Sequence, residues 1–134
     1  MAGDSIKTTK KISAARQIRA AIGHFNLKQY DCAITLAGAG EGQSEANALN
    51  HAFNVLKRKF SAKDLNLVRN WLKHPSGSQN LTIDELEVVT ALIRAVQKFV
   101  STYKESHQDF EDFSAWCMAH GYTSTPLTQR EETA

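Results

Sequence analysis

With 134 residues, 42% hydrophobic and 22% charged, the chain has the size and make-up of one globular domain with a single core. A formal charge of +2 does not mark a nucleic-acid or membrane-surface binder, although five histidines and a few basic clusters can build a local positive site. The stretch Met1–Lys11 is polar and basic, without the apolar core of a signal peptide, and no apolar run approaches the ~18 residues of a membrane span. The expectation is a cytoplasmic protein with reduced thiols and no membrane contact.

In chain order, Ile12, Ala15, Ile18, Ile22 and Phe25 recur at spacings of three and four and predict a first helix over 7–27. A short connection at 26–29 leads to a second helix over 30–41, with Tyr30, Ala33, Ile34 and Ala37 on its apolar face. Glycine is poor in helix interiors, so Gly38 and Gly40 point to close helix packing or an early end. Weaker patterns predict helices over 46–60 and 61–74, the latter stopped by Pro75, which disfavours helical geometry in the residue before it. Residues 76–80 read as a loop. Thr82 then caps the strongest pattern, with Glu85 completing a capping box and an apolar series running from Ile83 to Tyr103. A last helix over 107–120 carries Phe110, Phe113, Trp116 and Cys117, and Gly121 stops it. The expected fold is all-α, an antiparallel bundle of about five helices. It forms one domain over 1–134, with its core over about 7–120 and a polar, frayed tail over 123–134.

Chemistry concentrates in Arg69-Asn70-Trp71-Leu72-Lys73-His74. RNA cleavage without a metal needs a base for the 2′-hydroxyl proton, an acid for the leaving oxygen and a cation for the charged phosphorane. Histidine titrates in the right range, and arginine contacts phosphate in bidentate fashion. Five residues separate Arg69 from His74, roughly 140° around an ideal helix. The long arginine side chain and a chain bend at Pro75 ease their convergence, and a second subunit would ease it further. A helix C-terminus favours the imidazolium, which suits His74 as an acid. On spacing alone the bland alternative prevails: solvated polar residues near a helix end.

Lys57, Arg58 and Lys59 form a basic run that reads as a solvated face, able to steer phosphate if RNA binds nearby. His24 reads as a packing or hydrogen-bonding residue, and His51, His107 and His120 as surface residues without ligand spacing. Trp71 and Trp116 read as core or interface anchors. Cys32 and Cys117 lack C-x-x-C spacing and read as two buried free thiols. Neither a metal nor a cofactor is expected.

The R-N-x-x-x-H pattern of Arg69–His74 resembles the signature of the HEPN superfamily. The run Ala21-Ile22-Gly23-His24-Phe25, followed by Tyr30-Asp31-Cys32-Ala33-Ile34-Thr35-Leu36-Ala37-Gly38-Ala39-Gly40-Glu41, resembles the first two helices of a bacterial branch of it. Together the two cover residues 7–100. The resemblance implies a helical homodimer in which arginine and histidine of two subunits share a site. That site cleaves RNA without metal, leaves a cyclic phosphate, and serves in toxin–antitoxin, phage-defence or stress settings. Carried over, Arg69 stabilises phosphate, Asn70 orients it and His74 is the acid or base. Lys73, Lys57, Arg58 and Lys59 are candidate RNA contacts. Glu41 matches an acidic position of the branch and joins the candidate catalytic residues by that resemblance; the branch's frequent second acid is replaced here by Gly42. Implied partners are RNA, a second copy, and an antitoxin or nucleotidyltransferase. The alternative is a non-catalytic module for dimerisation or for binding a nucleotide or partner.

Overall fold

The computed structural model describes residues 3–44, 71–73 and 79–128. Four helices lie among them: α1 (Lys10–Asn26), α2 (Tyr30–Glu41), α3 (Glu85–Tyr103) and α4 (Gln108–Ala119). Residues 71–73 are helical as well, and no strand occurs among the described residues. The fold is all-α, as periodicity predicts. No described helix is long and apolar enough to cross a membrane.

Thr9 fixes the start of α1. Its backbone is extended, and its hydroxyl accepts a hydrogen bond from the Ile12 N–H at 3.1 Å, relieving one of the orphan donors of the first turn. The buried arc is Ala14, Ala15, Ile18, Ala21, Ile22 and Phe25. Ile12, expected on that stripe, is 40% exposed. At about 100° per residue it sits roughly 120° from the centre of the arc, which the small residues Ala14 and Ala21 extend on its far side.

The chain reverses through a Schellman turn: Gln29 N–H donates to the His24 carbonyl at 2.9 Å and Lys28 N–H to that of Phe25 at 2.9 Å. Lys28 takes the left-handed conformation there, with φ 60°, where glycine is usual. α2 then packs antiparallel on α1. Gly40 allows this contact: a Cβ there would lie 2.6 Å from Ile18 Cγ1 and 3.2 Å from the Ala14 carbonyl oxygen. Ile18 is itself fully buried. Gly40→Ala gains about 1 kcal/mol of helix propensity but incurs an overpacking cost of about 1–3 kcal/mol. A net loss of stability, read as a lower urea midpoint, is expected.

α3 is enclosed on every side, with residues 88–100 all buried, polar ones included. It starts later than the capping box implies. Asp84 is the N-cap, and the carboxylate of Glu85 accepts a hydrogen bond from the Tyr122 hydroxyl. α4 ends in a second Schellman turn, with Tyr122 N–H on the Cys117 carbonyl at 2.9 Å. Here Gly121 supplies the positive φ, as its sequence position predicts.

α3 and α4 form a second antiparallel hairpin. The Tyr122–Glu85 contact brings the end of α4 back to the start of α3. The two hairpins meet with α2 and α3 parallel: Glu41 lies against Arg94, and farther along both chains the Tyr103 hydroxyl donates to the Gln43 carbonyl at 2.6 Å. α1 and α4 also run the same way, joined by Arg19–Asp109 and by Phe25 packed edge-on against Phe113 and Trp116.

The frayed tail expected from residue 123 onward does not begin there. Tyr122, Thr123, Leu127 and Thr128 are buried. Leu127 N–H donates to Ser114 Oγ at 2.8 Å, and Thr128 Oγ1 donates to Glu111 Oε2 at 2.6 Å. Leu127 is the physical cause: one apolar side chain in a polar stretch, only 1% exposed, carries the segment onto the core.

Candidate functional site

Arg69, Asn70 and His74, and the basic run Lys57, Arg58 and Lys59, lie outside the described residues. The middle of the motif does not. Leu72 is half-buried and packs against the main core, and Lys73 beside it is exposed. Leu72 closes one wall of an open pocket of about 290 Å³ at the α1–α2 turn, with His24, Asp31, Cys32, Thr35 and Leu36 as its other described lining.

The polar groups of the pocket are fixed by local structure. His24 sits in the last turn of α1, and its Nδ1 lies 2.5 Å from Gln29 Oε1, across the Schellman turn. The imidazole and the carboxamide thus pair through one hydrogen bond that spans the turn. This is the hydrogen-bonding role expected of His24. Asp31, in the first turn of α2, takes the Cys32 N–H on Oδ1 at 2.9 Å, and its carbonyl accepts the Thr35 hydroxyl at 3.0 Å. An acid in that turn is favoured by the helix dipole.

Both cysteines are free, but only Cys117 is buried. Cys32 is exposed because it stands on the pocket side of α2, while Ala33 and Ile34 take the core side. Burial pushes the Cys117 thiol well up, leaving it protonated and inert. A thiol reagent is therefore expected to titrate one cysteine in the native protein, Cys32, and both after denaturation. Fast reaction of two native thiols would overturn this assignment.

Glu41 stands elsewhere. It ends α2, whereas the pocket residues lie in its first half, about 8–15 Å away along the axis at 1.5 Å per residue. Its side chain is only 5% exposed. Glu41 Oε1 accepts from Arg94 Nε at 3.0 Å, lies 2.9 Å from Arg94 Nη2, and is 3.6 Å from Lys98 Nζ. One carboxylate oxygen thus faces two buried cations from α3. Glu41, a candidate catalytic residue by resemblance, is thus buried against cations of α3 and away from the open pocket. Arg94 and Lys98 were not singled out in the sequence, although a signal was there: they are the two cations at i and i+4 inside an otherwise apolar helix.

Among the described residues, no group of three His, Cys, Asp or Glu side chains is placed to hold a metal ion. Compared with family models, with curated proteins and with solved structures, the chain matches none.

Proposed function

We propose that the chain is a HEPN-type endoribonuclease that works without metal, with Arg69 holding the scissile phosphate, Asn70 orienting it and His74 moving the proton. The 2′-hydroxyl oxygen attacks phosphorus and forms the 2′,3′-cyclic phosphate, its proton leaves to a base, and the departing 5′-oxygen takes a proton from an acid. The observation that carries this reading is the placement of Leu72, inside the motif, which packs on the core and lines an open pocket together with His24 and residues of the first half of α2. The helix pair that bears the second half of the resemblance thus shares a pocket with one residue of the segment that bears the first. A second copy of the chain completes the site, in a toxin–antitoxin or phage-defence setting with an antitoxin or nucleotidyltransferase as partner.

The test is cleavage of a mixed RNA pool in excess EDTA, parent protein beside His74→Ala. Cleavage by the parent alone supports the reading, and equal cleavage by both sinks it. The burial of Glu41 against Arg94 favours a second reading, a non-catalytic dimerisation or partner-binding module, because this candidate site residue does not line the open pocket. Silence of both proteins in the assay favours that module.

A further inference from the structure

We infer that residues 124–128 form a strap that lifts off α3 and α4 as a unit while the four helices stay folded, an inference independent of the ribonuclease reading. The strap is thinly held. Leu127, 1% exposed, is its one buried apolar side chain, and Ser124, Thr125 and Pro126 are exposed. Three hydrogen bonds tie it down: Leu127 N–H to Ser114 Oγ at 2.8 Å, Thr128 Oγ1 to Glu111 Oε2 at 2.6 Å, and Gln97 Nε2 to the Leu127 carbonyl at 3.5 Å. The last is longer than the usual upper limit of about 3.2 Å. Each bond ends on a side chain of the bundle, so none shares in the cooperative ladder that protects a helix.

Closure also leaves a polar atom short of a partner. Gln97 is 3% exposed, and its Oε1 is buried without a hydrogen bond among the described residues. The same carboxamide touches the strap through Nε2, so lifting the strap brings water to it and removes a cost of the closed state. The root of the strap, by contrast, is fixed. Tyr122 stacks on Trp116 with ring centroids 5.6 Å apart, and donates its N–H to the Cys117 carbonyl at 2.9 Å and its hydroxyl to Glu85. The hinge therefore falls between Tyr122 and the exposed Ser124. Opening bares a seat for one aliphatic side chain, with a donor, Gln97 Nε2, and an acceptor, Ser114 Oγ, set for the backbone of the residue that occupies it.

Native-state hydrogen exchange of the full-length protein, followed amide by amide by NMR, tests this. The Leu127 N–H is expected to show a protection factor at least about 100-fold below those of Leu92, Ile93 and Val96 in α3, and clearly below that of Tyr122 at the root. Leu127→Ala removes the anchor, and should lower the protection of the residue-127 amide by a further factor of about ten or more. That variant is expected to keep its helical circular dichroism and cooperative urea unfolding, because the open state is itself folded. Protection at residue 127 equal to that of α3 or of Tyr122 overturns the inference, because the segment would then open only with the rest of the fold. A residue-127 amide unchanged by Leu127→Ala also overturns it, because exchange would then reflect the breaking of one hydrogen bond and not the lifting of the strap. Failure of Leu127→Ala to fold does so too, since the helices would then depend on the strap.

Discussion

Glu41→Gln is expected to lower folding stability by about 3–5 kcal/mol, the usual cost of removing one member of a buried ion pair. The glutamine keeps the shape and an acceptor oxygen but not the charge. Arg94 and Lys98, now both within 3.6 Å of one carboxylate oxygen, would share the interior without it. Urea unfolding followed by circular dichroism reads the effect as a large fall in midpoint at constant slope. The exposed pair Arg19–Asp109 is the control: its side chains are 52% and 42% exposed, and Arg19→Ala is expected to cost less than about 1 kcal/mol. Equal losses at the two sites would contradict the burial argument. Replacing all three buried charges by apolar residues, Glu41→Leu with Arg94→Met and Lys98→Met, should restore much of the lost stability. If that variant folds but has lost RNA cleavage, the cluster serves the site. If it cleaves normally, the cluster serves the fold.

His74→Ala is expected to reduce RNA cleavage by about 10²–10⁴-fold, the range of a single acid–base group, with its helical circular dichroism unchanged. The parent should cut in excess EDTA and leave 2′,3′-cyclic phosphate ends, which resist a phosphomonoesterase until opened by acid. Arg69→Lys keeps the charge but loses the planar fork, so a smaller but clear loss is expected there. A parent that cuts only when magnesium is restored, or that leaves 3′-hydroxyl ends, would assign the chemistry to a different mechanism. Both product ends and metal dependence are read on the same gel, so contamination by a metal-dependent nuclease is distinguished directly.

The helices were legible where hydrophobic period and local punctuation agree. α2 runs from Tyr30 to Glu41 as expected, and α4 stops before Gly121. The two Schellman turns show what local pattern misses. Gly121 announces one, whereas Lys28 adopts the same left-handed backbone with no residue signal, because the hydrogen bonds that hold it depend on the neighbouring helices. Thr82 has the residue type of a cap, but tertiary contact moved the start to Asp84 by drawing Glu85 toward Tyr122. The docked tail was hidden for a related reason: composition reports the polarity of residues 123–128 and not the single anchor, Leu127. At the candidate site, the sequence marked the motif and His24, but not the pocket that Leu72 completes, since pockets arise from elements distant in the chain. Glu41 was visible as a residue and invisible in role, because the counter-ions that enclose it lie 53 residues away at Arg94 and a turn beyond at Lys98.

The parallel run of α2 beside α3 has a kinetic consequence. Each hairpin closes over a short turn and can form from local contacts, on the fast side of the folding scale. Joining them through Glu41 and Arg94 closes a loop of 53 residues, an entropic toll of about 3.5 kcal/mol beyond a constant term. The seam between α2 and α3 is therefore the contact whose closure is entropically most costly. A charged contact at that seam discriminates among registers that an all-apolar face would accept. The same three side chains then decide how the finished halves dock as well as how firmly they stay together.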